Sequence, residues 1–526
     1  MALASRFALP AYLVSLLVAA ALLAAFWYWQ GRPVILPEVA SATHKLQCVS
    51  YSPFDKDQSP LVESFVIRPE RLDADLALLS RYFSCVRTYS MTGMEQLPDI
   101  ARKHGLKVML GAWVGRDLIN TRAELDLLVE AANRHPDVVQ SVIVGNEALL
   151  RKDISGARLA ELIADVKSRV SQPVTYADVW EFWLKHPQVA PEVDFITIHL
   201  LPYWEDEPSG IDTALAHVGA VREEYGRLFA PKEILIGETG WPSEGRQRET
   251  ALPSRINQAK FIRGFVAMAE NNGWSYNLIE AFDQPWKRAN EGAVGGYWGL
   301  FDADRQDKQV LSGPVSDLPQ WRHWLLVSVL IAVAGLVLAG VPRSAGGAIF
   351  RPPLIVLGAV CMALWWQQGV NDNRNGWEWL WTGALALLNA LVLARAVLID
   401  AVRGRRARWG LWLQRHAGTL LLCSGFVGAV LMMQLVFDPR YRQFPSYVLL
   451  IPALCFLRWP AVAGRRELML LLVVIALGIP FQLWEETLVN QQALSWASAA
   501  TLLALALWRS LHLSRAAPGA LAGTSI

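Results

Sequence analysis

Residues 10–28 read PAYLVSLLVAAALLAAFWY, an apolar run long enough to cross a bilayer as one helix. Seven more apolar runs follow, at roughly 324–341, 353–369, 377–399, 410–436, 444–458, 467–484 and 491–508. Between the first run and the second lies a long stretch of ordinary soluble composition. The mean hydropathy of +0.25, too high for a soluble enzyme, is therefore a blend of two unlike parts. The expected layout is an N-terminal transmembrane anchor (1–30), a soluble domain (31–320), a seven-helix membrane domain (321–510) and a cytoplasmic tail (511–526).

A cleaved signal peptide also begins with such a run behind a basic residue, here Arg6. The length of the run favours an uncleaved anchor. So do Phe26, Trp27, Tyr28 and Trp29, which stand where a cleavage site needs small residues. Orientation follows from the basic loops. With the N-terminus in the cytoplasm, the soluble domain lies outside. The cytoplasmic loops then hold Arg343 and Arg351, next Arg403, Arg405, Arg406 and Arg408, next Arg458, Arg465 and Arg466, with Arg509 and Arg515 in the tail. The outer loops hold only Arg374, Arg440 and Arg442. Eight crossings satisfy every alternation. The run 444–458 is short, and a re-entrant segment there would invert the last two crossings. Arg395, about one turn from the end of its run, is expected to snorkel. No acidic residue sits mid-span as a transporter tends to need, so the membrane part reads as an anchor or assembly platform. Trp365, Trp366, Trp377, Trp379 and Trp381 read as an interfacial aromatic belt.

Charge divides in the same way. Residues 31–320 hold 31 basic and 40 acidic side chains, while the remainder holds 18 and 7. An acidic soluble domain argues against a nucleic-acid partner, which needs a basic face. Of five cysteines, Cys361, Cys423 and Cys455 lie in apolar runs. Cys48 and Cys85 fall in two candidate strands. An oxidising compartment permits a disulfide between them, but adjacent parallel strands rarely offer the geometry, so the expectation is against one. No CxxC or HExxH spacing suggests a metal site.

Within the soluble domain, short β-rich runs recur at 46–51, 83–89, 107–113, 139–145, 173–177, 193–199, 232–238 and 275–281. Each is almost continuously apolar, as parallel strands buried on both faces are. Segments such as 70–80 and 157–170 between them repeat apolar residues every three or four positions, which predicts helices. Eight such units over about 270 residues fit a (β/α)8 TIM barrel, an α/β fold. In that fold the chemistry sits at the C-terminal strand ends. Those ends carry Tyr51, Arg87, Tyr89, Trp113, Asn146, Glu147, Asp178, His199, Tyr203, Glu238, Trp241, Glu280, Phe282 and Asp283. Phosphate-binding glycine loops and a nucleophile elbow are absent. Carboxylates among aromatic rings suggest a carbohydrate site, in which acids do the chemistry and ring faces stack on sugars. Glycoside cleavage with retention needs two carboxyl groups about 5–5.5 Å apart. Strands 4 and 7 face each other across the mouth, so Glu147 and Glu238 are the candidate pair.

VGNE (144–147) and GETGWPSEG (237–245) resemble the two signatures of glycoside hydrolase family 17. VSYSPF (49–54), VRTYS (86–90), TIHLLPYWE (197–205) and YNLIEAFDQPWK (276–287) agree, the last two resembling the bacterial branch. The resemblance spans residues 46–305. It implies a retaining enzyme active on β-1,3-glucan, with Glu147 as acid/base, Glu238 as nucleophile and Asn146 on the sugar 2-hydroxyl. Further substrate-binding candidates are Arg87, Tyr89, Tyr203, Trp241, Phe282, Trp286, Tyr51, Asp178 and Glu280. Trp241 is expected to be a stacking platform, Phe282 and Trp286 an acceptor platform. Asp178 or Glu280 is an alternative partner for Arg87, and a barrel-interior role is open for His199 and Arg87. The chemistry needs no cofactor. The layout resembles rhizobial cyclic-glucan synthesis proteins, which implies transglycosylation, with β-1,6 linkages among the products. It also implies an inner-membrane location with the barrel on the periplasmic side, membrane lipid around the helices and a membrane glucan synthase as candidate partner. An anchored endoglucanase and a non-catalytic glucan-binding subunit are the alternatives.

Overall fold

The computed structural model describes residues 2–39, 45–62, 65–342, 344–401, 404–438 and 440–516. Arg343, Arg403 and the tail from 517 onward lie outside them. The chain divides into two compact units, Val34–Val315 and Met1–Pro33 with Ser316–Ile526.

The first unit is a closed barrel of eight parallel strands: β1 (Leu46–Ser50), β2 (Phe83–Arg87), β3 (Lys107–Ala112), β4 (Val139–Asn146), β5 (Val174–Val179), β6 (Ile196–Leu200), β7 (Ile234–Thr239) and β8 (Ser275–Leu278). Each strand pairs with the next, and β8 closes on β1 through Cys48↔Asn277 and Val49↔Leu278. All six residues of β7 and all five of β6 are buried, which is why these segments carry no polar alternation. The helices bury one stripe each. In Gly156–Lys167 the inward residues are Leu159, Leu162, Ile163 and Val166, and Ser155 caps the first turn by accepting from the Arg158 N–H. The strand expected at 193–199 starts at Ile196, because Asp194 turns aside to accept the Val174 N–H at 2.7 Å.

The disulfide expectation is overturned. Cys48 and Cys85 are joined, with Cα atoms 4.5 Å apart. They are direct register partners in β1 and β2. Ser50 and Arg87 face the barrel interior, so the residues two positions earlier do too. Inward side chains converge on a barrel axis, unlike those of a flat sheet, and this brings the two sulfurs together. They sit with Met109, Ile143, Ala177 and Leu235 in a small interior cluster.

The second unit is helical and strongly apolar. Among the described residues, seven helices are long and apolar enough to cross a membrane: Leu9–Gly31, Trp321–Ala339, Ala345–Asp372, Gly376–Val397, Ala417–Phe437, Arg465–Glu486 and Gln491–Arg515. Two expectations need correction. The run 410–436 is not one span. Gly404–Arg415 is a separate helix that ends before His416, and the crossing helix starts at Ala417. The break leaves Arg415 in the separate helix and out of the long apolar one. The eighth crossing, Ser446–Arg458, has 13 residues, too few for a full span at 1.5 Å per residue. It still runs antiparallel to Ala345–Asp372. Gln443, just before it, bonds Asp372 at 2.5 Å, while Arg458 at its end shares a groove with Phe350 and Pro353. Arg395 finds its partners inside the helical unit. It is buried, donating to Gln414 Oε1 at 3.2 Å and to the Trp459 carbonyl at 3.0 Å, with its guanidinium over the Phe456 ring.

Candidate active site

Two register irregularities aim the carboxylates. The β4–β5 ladder shifts between Ile143 and Asn146, and Glu147 follows with φ +51°. A non-glycine residue in the left-handed region is uncommon and is held there by its surroundings. Here the Glu147 N–H is fixed to the Ala177 carbonyl at 2.8 Å. The β6–β7 ladder shifts between Ile198 and His199, which sets His199 opposite Glu238. One carboxylate oxygen from each glutamate and one His199 nitrogen lie within 4.8 Å of one another. That approach is compatible with the retaining arrangement, in which the two carboxyl groups stand about 5–5.5 Å apart.

Glu238 is buried and Glu147 partly open, with side-chain exposures of 5% and 23%. Arg87, itself buried, donates to Glu238 Oε1 at 3.1 Å, to the Gly237 carbonyl at 2.8 Å and to Asn146 Oδ1 at 2.5 Å. Tyr89 donates to the same Glu238 oxygen at 2.7 Å and also touches Ser50 Oγ. Glu238 is thus a buried carboxylate held by a cation and a hydroxyl, oriented toward the mouth. Because Arg87 occupies the Asn146 oxygen, the Asn146 amide N–H groups are left for a ligand. His199 Nδ1 lies 2.9 Å from Glu147 Oε1 and 3.6 Å from Glu238 Oε2. Burial pushes the Glu147 carboxyl up, but the His199 contact, with Arg151 and Arg87 nearby, outweighs it and holds the group below its ordinary range. Among the described residues, Glu147, His199 and Glu238 are also the one grouping able to hold a metal ion. The Arg87 guanidinium already supplies positive charge at that spot, which disfavours a dication there.

The remaining candidates divide. Tyr51 is fully buried and donates to Asp75 at 3.1 Å. Tyr203 is fully buried and donates to the Arg246 carbonyl at 2.6 Å. Trp241 is fully buried too, its indole N–H on the Leu252 carbonyl at 3.1 Å and its ring on Phe261. Phe282 packs between Tyr51 and Phe301 in the core. None of these four presents a ring to the mouth, so the stacking roles expected for Trp241 and Phe282 are corrected to packing roles. Trp286 is half-buried, edge-on to Phe54, with its N–H on Gln284. Asp178 is buried and accepts from Tyr176 and from the Leu150 and Val179 N–H groups. Burial raises its carboxyl to about 6. Glu280 pairs with Lys287 at 2.7 Å, and burial raises its carboxyl to about 7. Asp283 pairs with Lys308 at 3.0 Å. Neither Asp178 nor Glu280 partners Arg87.

The sequence reading missed Lys287 and Glu291. Burial would lower the Lys287 ammonium, but Glu280, Glu291 and Glu238 hold it above its ordinary range. Lys287 closes the PWK turn and Glu291 lies in the helix after it, both away from any strand end, so only the tertiary fold brings them to the carboxylates. Trp113 is 44% exposed at the end of β3, with the Arg151 guanidinium 4.2 Å from its ring centre.

The barrel, over residues 48–299, matches the BtgE/BtgC glycoside hydrolase domain. It is a glycoside hydrolase domain of the family 17 type. This agrees with the resemblance carried by VGNE and GETGWPSEG, and it makes the chain an enzyme of the glycosidase and transglycosylase class. Relatives of the family 17 barrel include a glucan 1,3-beta-glucosidase of Schizosaccharomyces pombe, 27% identical over 256 residues. That match covers 45% of this chain and 79% of that protein. A glucan 1,3-beta-glucosidase of Arthroderma benhamiae is 29% identical over 256 residues, covering 45% and 82%. Among solved structures, the family 17 beta-1,3-glucanosyltransferase of Rhizomucor miehei aligns with a TM-score of 0.45 at 25% identity, covering 50% of this chain and 96% of that one.

Proposed function

We propose that this protein is a membrane-anchored retaining transglycosylase that remodels β-1,3-glucan on the periplasmic side of the inner membrane. The observation that carries this reading is the Glu147–Glu238 pair at the barrel mouth, within 4.8 Å and served by Arg87, Tyr89 and His199. In the first step Glu238 attacks the anomeric carbon while the glycosidic bond breaks. Glu147 gives its proton to the departing glucan oxygen. Protonated Glu147 donates to His199 Nδ1, and ionised Glu147 accepts from a protonated Nδ1, so one contact serves both forms. In the second step a glucan hydroxyl attacks the glucosyl–Glu238 ester and its proton passes to Glu147. Asn146, positioned by Arg87, binds the 2-hydroxyl as charge develops on the sugar. The β-1,3-glucan substrate is supported by the names of the relatives. The partly open Trp286 and Trp113 are the rings available to hold an acceptor against water. The basic-loop alternation supports the periplasmic placement. Glucan arriving from a membrane synthase would meet the barrel there.

The test uses the full-length protein in detergent with a reduced laminari-oligosaccharide, with products analysed by mass and linkage and Glu238→Ala as control. Products longer than the substrate, with 6-linked glucose among them, are expected. Shorter products alone would make the protein an endoglucanase. Binding without turnover would make it a glucan-binding subunit.

A further inference from the structure

The helical unit contains an apolar groove of about 430 Å³ that the glucan chemistry does not use. Its walls are Pro353, Leu354 and Leu357 on one side and Leu454 and Leu457 on the other. These belong to the helices Ala345–Asp372 and Ser446–Arg458. Pro352 and Pro353, side by side, mark the stretch of Ala345–Asp372 that forms one wall. The short partner helix forms the other. Two cations stand at one end. Arg458 closes Ser446–Arg458, and Arg509 comes from Gln491–Ala516. Both are exposed. Arg509 spends one N–H on the Leu457 carbonyl at 2.6 Å, which fixes it at the mouth. Neither guanidinium meets a carboxylate among the described residues. Phe350 and Trp459, edge-on to each other at 6.3 Å, mark the level where aromatic rings meet a bilayer interface.

An apolar slot ending in two unneutralised arginines, on the end of the unit that carries the basic loops, has the shape and charge of a site for an anionic amphiphile. We propose that this groove binds an anionic phospholipid of the surrounding bilayer, its phosphate on Arg458 and Arg509 and one acyl chain between Leu357 and Leu454. Basic clefts between transmembrane helices take anionic headgroups by this combination of charge and apolar depth. A neutral phospholipid offers the chain but leaves the two cations without a net counter-charge.

The full-length protein, delipidated in a neutral detergent, is titrated with phosphatidylglycerol, phosphatidylcholine and a polyprenyl phosphate, and bound lipid is counted by native mass spectrometry. Phosphatidylglycerol should be retained in preference to phosphatidylcholine. Arg458→Gln and Arg509→Gln should each weaken that retention about fivefold, with the protein still monodisperse. Leu357→Trp, which fills the slot, should lose phosphatidylglycerol while the arginines remain. Equal retention of the two phospholipids, or phosphatidylglycerol binding unchanged in both arginine variants, would overturn the proposal. Preferential retention of the polyprenyl phosphate would overturn it in favour of a lipid-linked ligand.

Discussion

Replacing His199 with phenylalanine isolates the contact that tunes the proposed acid. His199 is 1% exposed, and its Nδ1 sits 2.9 Å from Glu147 Oε1. Phenylalanine fills the ring volume without supplying the nitrogen. In the native site burial pushes the Glu147 carboxyl up, and the His199 bond is the largest influence pulling it down. A hydrogen bond to an ionised group contributes about 1.5–3 kcal/mol. With it gone, burial dominates and Glu147 should hold its proton to higher pH. Glu147 must be protonated for the bond-breaking step, so the alkaline limb of kcat/KM should move up. The assay compares two aryl laminaribiosides across the pH range. With a poor leaving group the alkaline limb should shift. With a dinitrophenyl leaving group, which departs without protonation, no limb from Glu147 should appear. An alkaline limb that stays in place or moves down would refute the assignment of the His199–Glu147 contact as the tuning element.

Three further outcomes follow from the packing. Trp241→Ala should cost about 3–5 kcal/mol of barrel stability by urea titration and leave KM unchanged, because the ring is core. A raised KM with stability intact would restore its stacking role. The paired change Cys48→Ala and Cys85→Ala opens a loop of sequence separation 37 and should lower stability by about 4 kcal/mol on the chain-entropy estimate, read as a fall in the urea midpoint. Asp178, whose folded carboxyl titrates at about 6, binds its proton more tightly folded than unfolded. Its stabilising contribution is complete below about pH 4 and is lost as pH rises through about 6, some 3 kcal/mol in all. Asp178→Asn should remove that slope, which urea midpoints of the two proteins across this range would reveal.

The order of strands was legible because parallel barrel strands are buried on both faces and so write themselves as unbroken apolar runs. The membrane helices were legible for the same reason at greater length. From the strand ends, chemistry alone selected carboxylates and aromatics. Which of those side chains turn inward was beyond the one-dimensional pattern. A shift of one residue moves a strand side chain to the other face, and β4 and β7 both carry such shifts near their ends. So Arg87, Tyr89 and Asn146 converge on Glu238, while Trp241 and Tyr203, also aromatic and also just past a strand end, are sealed in the core. Lys287 and Glu291 reach the carboxylates from a turn that no periodicity marks. The Cys48–Cys85 bond and the break at His416 belong to the same class. One depends on how inward side chains converge on a barrel axis, the other on where the helix ending at Arg415 gives way to the next. The sequence by itself determined the elements and the pool of reactive groups. Only the tertiary structure decided which groups meet, because distance between residues 87, 147, 199 and 238 is set by barrel closure and not by spacing along the chain.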